Sequence, residues 1–255
     1  MEPNATSSLR RALSMLNWVA LQQRPCGVRE IAAATGVNKT SVHRFLDAMR
    51  QEGWIVQDPL SEKYHLGPAP VEIGLSALAG MEFRAVARPL LESIAEESGE
   101  TSYLGVLLGA DVVYVDVVLG SHAIVAKREI GSRLPAHRTA IGKVLLTELP
   151  SDQLERLLGA DGATAPSAQD RTIERLLGEL GRARETGLAQ NDEESAPGVY
   201  SLAAPFRDFS GRVIAGLGLG GPKSRILPHL EEYAGLVKTA AAAASRAMGY
   251  HGGIA

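Results

Sequence analysis

The chain has 255 residues, of which 45% are hydrophobic and 22% charged, and its 26 lysine and arginine residues against 29 acidic ones give a net charge of −3. The length suits two domains with separate cores, and the composition excludes disordered, collagen-like and coiled-coil proteins. A single cysteine, Cys26, excludes an internal disulfide and any multi-cysteine zinc or iron–sulfur site.

The sequence carries no pattern of export or membrane insertion. Its first residues, MEPNATSSLRRAL, lack a basic region followed by a long apolar run. No stretch reaches the roughly 18 apolar residues that a membrane-spanning helix needs. We therefore expect a cytoplasmic protein without a membrane partner.

The first 67 residues predict a winged helix-turn-helix. The predicted elements are helices over 8–22, 28–35 and 39–52, then strands at 54–57 and 63–66 that flank the turn DPLSE. Gly36 supplies a tight turn between the second and third helices, Asn38 is a good N-cap, and Gly53 ends the third helix. This order of helices followed by a short hairpin is typical of winged DNA-binding domains.

The remainder predicts a linker helix over 68–82 and an α+β domain over 83–255. A helix is expected over 84–98, with a kink or restart at Pro89. The strand-like segments are 101–108, 112–119, 122–130, 199–206 and 212–219, and the helix-like segments are 137–148, 151–158, 170–186 and 226–248. This pattern indicates a mostly antiparallel sheet with helices packed on it.

The third helix carries the DNA-binding argument. Its apolar residues form one stripe at helical spacing: Val42, Phe45, Leu46 and Met49. The opposite face carries side chains that donate to phosphate oxygens or base edges. With the N-cap and a lysine of the wing, the candidate DNA-binding residues are Asn38, Lys39, Thr40, Ser41, His43, Arg44 and Lys63.

Ordinary alternatives exist for these residues. A lone amphipathic helix usually shows only a solvated polar face, and His43 or Lys63 can be plain surface residues. The preceding short helix, the glycine turn and the hairpin favour DNA binding. The distribution of charge is consistent with DNA binding by the first part of the chain. Residues 1–67 carry eight basic and six acidic residues, whereas residues 68–255 carry eighteen basic and twenty-three acidic residues.

Several ordered motifs resemble the IclR family of bacterial transcription regulators. They include VREIAAATGVNKTSVHRFLDAMRQEGWI near the N-terminus, GSRLPAHRTAIGKVLL at 131–146 and GVYSLAAPFRDFSGRVIAG at 198–216. The resemblance covers about 9–249. It implies a winged helix domain, a linker helix and a GAF-like effector-binding domain. It also implies dimers or dimers of dimers on palindromic promoter DNA, acting as repressor or activator in response to a small organic effector.

The resemblance places the effector pocket around three segments of the second domain. The candidate effector-binding residues are Gly131, Leu134, Ala136, His137, Arg138, Thr139, Ala140, Tyr200, Ser201, Leu202, Gly218 and Gly220. Arg138 is a candidate clamp for an effector carboxylate, or else pairs with Glu129 or Asp192. Glycine at 218 and 220, where relatives that bind small acids have polar side chains, is expected to enlarge the pocket. We therefore expect a carboxylate or aromatic metabolite larger than a two- or three-carbon acid.

Other function classes find little support in the sequence. The alternative is an enzyme with a catalytic second domain tethered to a DNA-binding head. The second domain has no cysteine nucleophile and none of the GxSxG, HExxH, GK[ST] or GxGxxG-before-helix patterns, so the sequence favours the regulator and we expect no catalytic residues. The consecutive acids Asp192, Glu193 and Glu194 suggest a metal site only weakly, and we expect neither metal nor cofactor. Leu75, Leu78 and Met81 belong either to a dimer seam or to packing within the chain.

Overall fold

The computed structural model describes residues 3–22, 24–126, 128–150, 152–154, 157 and 173–251. The chain divides into two compact units, Met1–Gly80 and Met81–Ala255. Within the described residues, no helix is both long and apolar enough to cross a membrane.

The first unit is a winged helix-turn-helix. Its elements are α1 (Pro3–Leu21), α2 (Val28–Thr35), α3 (Lys39–Gln51), β1 (Ile55–Gln57), β2 (Tyr64–Leu66) and α4 (Pro68–Ala79). The hairpin β1–β2 is antiparallel, and Cys26 pairs with Tyr64 in a further antiparallel bridge. The core comes from every element before α4: Met15, Val19, Cys26, Ile31, Val37, Val42, Leu46, Ile55 and Tyr64.

Helix α4 occupies most of the predicted linker and groups with the first unit. Residues 71–77 are exposed, among them Val71, Ile73 and Leu75. Of the three residues considered for a dimer seam, Leu75 is thus exposed and Met81 is half-buried, while the side chain of Leu78 lies outside the described part. An apolar helix exposed in this way leaves surface for another contact.

The second unit is an α+β structure with one six-stranded antiparallel sheet in the order β5-β4-β3-β8-β7-β6. Its strands are β3 (Thr101–Leu108), β4 (Asp111–Val118), β5 (Arg133–Pro135), β6 (Ala189–Asp192), β7 (Val199–Arg207) and β8 (Val213–Pro222). Its α-helices are α5 (Glu82–Ser98), α6 (Ala140–Leu146), α7 (Ile173–Thr186), α8 (Lys223–Ile226) and α9 (Leu230–Ala247). Short 3-10 turns lie at Ala136–Arg138 and Leu227–His229.

Helices cover both faces of this sheet, so its central strands β3, β7 and β8 are buried on both sides over most of their length. Phe206 of β7 packs edge-on against Phe83 of α5, with ring centroids 6.1 Å apart. Ala203, on the other face of the same strand, belongs to the core cluster that contains Ile141 and Val144 of α6. Burial on both faces explains why these strands read as continuous apolar runs.

The predicted strand at 122–130 is wrong. Its described residues, 122–126 and 128–130, belong to no strand, and Ile124 is 72% exposed. The carbonyls of Ile124 and Ala126 accept hydrogen bonds from the side chains of Arg225 and Tyr103 rather than from a strand. The place beside β4 is taken by β5, which the sequence patterns did not reveal.

Other boundaries differ in smaller ways. Helix α5 runs unbroken from Glu82 to Ser98 with Pro89 inside it. The predicted helix over 137–148 begins instead as a 3-10 turn before α6, and β6 was not predicted. Half of the predicted helix over 151–158 and all of the loop 159–169 lie outside the described residues; within that predicted helix, residues 152–154 and 157 are helical.

Candidate functional site

The N-terminus of α3 is organised by its cap. The Asn38 side-chain oxygen accepts a hydrogen bond from the Ser41 backbone N–H at 2.9 Å, as an N-cap does. Val42 and Leu46 are buried, and Phe45 and Met49 are half-buried against the same core. The stripe predicted from the sequence therefore fixes which face of α3 points outward.

The outward face of α3 presents the predicted DNA-binding residues. Asn38, Lys39, Thr40, His43 and Arg44 are exposed, and Ser41 is half-buried. The Arg44 guanidinium carbon lies 5.4 Å from the centre of the Phe45 ring, a cation–π contact that restricts its rotamers. This surface is positive and rich in donors, which suits phosphates and base-edge acceptors.

The wing is held by its turn and its base. Asp58 accepts hydrogen bonds from the Ser61 backbone N–H and hydroxyl at 2.6 and 2.7 Å, and these bonds lower the pKa of its carboxyl group. At the base, a Cβ on Gly67 would overlap the carbonyl oxygen of Gly53, so only glycine fits there. Lys63 stands exposed next to β2, in position to meet a phosphate or water.

The second unit contains a cavity of about 390 Å³, counted with its mouth. Six of the twelve predicted effector residues line it: Thr139, Ala140, Ser201, Leu202, Gly218 and Gly220. Only about 30 Å³ of this space is enclosed and open to a water-sized molecule, far below the roughly 300–1,000 Å³ typical of small-molecule sites, so the cavity is nearly closed in this conformation.

The other six predicted residues do not line this cavity. Gly131 lies in an exposed turn, Leu134 is in β5, and Ala136 is buried in the core beside α6. His137 and Arg138 are in the 3-10 turn, and Tyr200 donates its hydroxyl to the Gln190 side chain at 2.7 Å. Arg138 donates from Nε to the Glu194 carbonyl at 2.8 Å, which is neither the ligand clamp nor the ion pairs considered from the sequence.

Sequence reasoning missed two tyrosines in the cavity wall. The rings of Tyr103 and Tyr114, on β3 and β4, meet edge-on with centroids 5.5 Å apart. Burial raises the pKa of both phenols, so they stay neutral at physiological pH. Arg128 also lines the cavity, and its positive charge partly opposes the effect of burial on the pKa of Tyr114. Alternation along β3 and β4 was the available signal for these two tyrosines, because residues two apart share a face.

Asn191 organises a polar corner of the cavity. Its side-chain oxygen accepts from the backbone N–H groups of Glu194 and Ser195 at 2.9 and 3.3 Å. Its side-chain nitrogen donates to the hydroxyls of Ser195 and Ser201 at 2.8 and 3.2 Å. The Ser201 hydroxyl thus accepts one bond within the protein and keeps its hydrogen for a ligand acceptor.

The two glycines of β8 do not enlarge the cavity, contrary to the expectation from the sequence. A Cβ on Gly218 would overlap the carbonyl oxygen of Leu202, because the β7 backbone fills that space. A Cβ on Gly220 would lie 3.1 Å from the Ser201 Cβ and 3.4 Å from the Tyr103 ring. The two glycines therefore give no reason to expect an effector larger than a two- or three-carbon acid.

The acidic run 192–194 is neutralised by lysines. Lys223 Nζ lies 2.6 Å from Asp192 and 3.0 Å from Glu193, and its hydrogen bond lowers the pKa of Glu193. Lys143, only 2% exposed, reaches Glu194 at 2.6 Å and Glu179 of α7 at 2.9 Å. Across the residues that the structure describes, no group of three or more His, Cys, Asp or Glu side chains is arranged to hold a metal ion.

A winged helix-turn-helix with a basic outward face, carried on the same chain as an α+β unit with a small internal cavity, defines the class of DNA-binding transcriptional regulators. The family model for the IclR helix-turn-helix domain matches residues 8–59, and the model for the bacterial transcriptional regulator IclR C-terminal domain matches residues 75–246. The chain belongs to the IclR family.

Individual relatives match along nearly the full chain. The transcriptional regulator XynR of Escherichia coli K12 is 35% identical over 245 residues, covering 95% of this chain and 97% of the relative. KdgR of the same organism is 32% identical over 254 residues, covering 98% and 95%. A crystal structure of an IclR-family regulator from Brucella abortus superimposes with a TM-score of 0.81 at 26% identity, covering 94% and 91%.

Proposed function

We propose that this regulator binds double-stranded promoter DNA through α3 and the wing, and that a small organic effector in the cavity of the second unit controls that binding. The observation that carries the proposal is the cavity itself. The hydroxyls of Ser195 and Ser201, oriented by bonds from Asn191, lie there beside apolar walls, as polar groups do in sites that bind small metabolites.

The effector can act only through a difference in affinity between two conformations of the protein. We infer a homodimer, or a dimer of dimers, in which the separation of two winged units is the variable. The exposed apolar residues Val71, Ile73 and Leu75 of α4 favour an interface there. Two-fold symmetry of the dimer then requires two half-sites in the DNA that lie about one turn of the double helix apart, or a multiple of that distance.

DNA binding is tested with the full chain and a duplex from its own promoter region. Affinity should fall steeply with salt, with a slope that corresponds to several phosphate contacts. Arg44→Ala should weaken specific binding by roughly 1–3 kcal/mol if Arg44 reads a base. Lys238→Ala is the matched control, because it removes one exposed positive charge from the second unit.

Two results separate the roles within this proposal. Equal losses on specific and random DNA would show that Arg44 contacts only the backbone. Salt-independent binding, or no binding to the promoter duplex, would contradict the DNA-binding role of α3.

Effector binding is tested by thermal shift with aliphatic and aromatic carboxylates, followed by DNA affinity with each compound that binds. Ser201→Ala should weaken binding of an active compound because it removes a cavity donor, whereas Ser224→Ala, at an exposed position of α8, should not. A compound that binds both variants equally and changes DNA affinity would place the effector site elsewhere.

A further inference from the structure

A groove lies on the second unit between the C-terminal half of α9 and the end of β7. It has room of about 370 Å³ for water-sized molecules and shares no lining residue with the cavity proposed for the effector. Short side chains line it, among them Ala241, Ala242 and Ser245 of α9 and Ala204 and Pro205 of β7. The alanine-rich part of α9 thus leaves space that longer side chains would fill.

The arginine and lysine residues of this groove are not balanced by acidic ones. Lys238 and Arg246 are exposed, and with Ala242 between them they stand at four-residue spacing along one side of α9. Arg207 of β7 is the third such residue in the wall. Among the described residues that line the groove, none is acidic. The groove therefore has a positive potential that attracts anions.

Arg207 is held in place by the protein itself. Its guanidinium donates to the Gly211 carbonyl at 2.7 Å and pairs with Glu148 at 3.2 Å. The guanidinium carbon lies 6.0 Å from the centre of the Tyr250 ring, which also lines the groove. The Arg207 backbone N–H donates to the Ser245 hydroxyl at 2.9 Å. This wall of the groove is therefore formed before any ligand binds.

Lys238 and Arg246 differ from Arg207 in having no such partner. Within the part of the chain that the structure describes, neither side chain forms an ion pair or a hydrogen bond. Two uncompensated positive charges beside one groove favour a ligand that carries two negative charges. A phosphate monoester has a charge of about −1.5 to −2 at neutral pH and three acceptor oxygens, whereas a carboxylate brings a single charge.

We propose that this groove binds the phosphate group of a small organic phosphate monoester. The phosphate lies between Lys238 and Arg246, where each cation meets a different oxygen. The organic part of the ligand lies against the alanines and the Tyr250 ring, which offer apolar and aromatic contact. Because the groove is separate from the cavity, it gives the regulator a second ligand site.

The test is calorimetric titration of the full chain in a buffer free of phosphate and sulfate. The probes are AMP and phenyl phosphate, each paired with its neutral counterpart, adenosine or phenol, and inorganic phosphate is titrated separately. At least one ester should bind at millimolar concentration or below, more tightly than inorganic phosphate, and its neutral counterpart should not bind.

Two sets of variants locate the binding. Lys238→Gln with Arg246→Gln should weaken binding of that ester by about tenfold or more. Arg133→Gln with Arg182→Gln is the control, because it removes two exposed positive charges of the second unit outside the groove. Ala242→Glu places a carboxylate four residues from both cations and should abolish binding, whereas Ala242→Gln adds equal bulk without charge and should retain more of it.

The melting temperature of each variant without ligand shows whether it is folded. No binding of either ester, equal binding of an ester and its neutral counterpart, or undiminished binding to the folded Lys238→Gln, Arg246→Gln variant would each overturn the proposal. Equal affinity for inorganic phosphate would overturn the ester as the ligand in favour of free phosphate. If neither ester binds and the double variant loses affinity for the promoter duplex, the groove contacts DNA phosphates instead.

The result is independent of the effector cavity. Ser201→Ala alters the cavity and should leave binding of the esters unchanged, because Ser201 does not line the groove. A loss of ester binding in Ser201→Ala that is absent from the double variant would place these ligands in the cavity and overturn the groove as their site.

Discussion

The thiol of Cys26 lies fully buried beneath the wing and donates to the Arg24 carbonyl at 3.3 Å. Burial is the main cause of its raised pKa, and Arg24 only partly opposes it. A raised pKa means less of the nucleophilic thiolate at pH 8. We expect a disulfide reagent such as DTNB to react slowly with the folded chain and to titrate one thiol after denaturation. Fast stoichiometric reaction of the native protein would contradict this burial.

Gly221 is required by the ion pair beneath it. A Cβ at this position would overlap Glu100 Oε2, which is held by Arg225. Gly221→Ala should therefore destabilise the second unit, by roughly 1–3 kcal/mol as for other overpacked sites. Gly235→Ala is the control, because nothing lies near its Cβ position on α9 and alanine favours a helix by about 0.5–1 kcal/mol. Denaturant titration of both variants tests the difference, and equal stability would contradict the clash.

For individual residues, the sequence predicts the structural role correctly where the role depends only on neighbouring residues in the chain. Asn38 caps α3 and Val42 faces the core because N-cap chemistry and helical spacing act over a few residues. The sequence did not reveal that Arg128, rather than the candidate Arg138, lines the cavity. The position of Arg128 depends on the path of the chain between β4 and β5, where Arg225, far along the chain, donates to the Ile124 carbonyl.

Lys143 joins three elements at one buried point. Its ammonium group contacts Glu179 of α7, Glu194 after β6 and the Gln190 carbonyl at 2.8 Å. Removing it takes a buried cation away from two carboxylates, of which Glu179 keeps Arg175 at 3.4 Å. Breaking a buried pair typically costs about 3–5 kcal/mol. We expect Lys143→Met to lower the unfolding free energy by an amount of this order. Lys238→Met, on the exposed face of α9, should change it little; equal effects would contradict the buried network.

Elements with strong local signals were predicted well, and those defined by partners were not. Helices α2 and α3 lie within a residue of their predicted bounds because Gly36 and Asn38 mark their ends. Strand β5 has three residues and exists because β4 offers an unpaired edge. The alternating pattern near Ile124 predicts a strand. In the structure, the backbone carbonyls there accept hydrogen bonds from side chains instead of from the backbone of a neighbouring strand.

The two units have separate cores, and both tryptophans, Trp18 and Trp54, belong to the first unit. Tryptophan emission therefore reports unfolding of the first unit, whereas far-ultraviolet circular dichroism reports both. We expect Lys143→Met to shift the circular dichroism transition and to leave the fluorescence midpoint unchanged. A common shift of both signals would show that the two units unfold cooperatively.

The bond between Glu100 and Arg225 joins residues 125 positions apart in the chain. Strand β3, which follows Glu100, likewise pairs with β8, which precedes Arg225. During synthesis, the ribosome must therefore release the chain beyond Arg225 before the cavity can close. The winged unit, complete by Gly80, emerges and can fold much earlier. Each new molecule thus has its helix-turn-helix before the cavity of the second unit is complete.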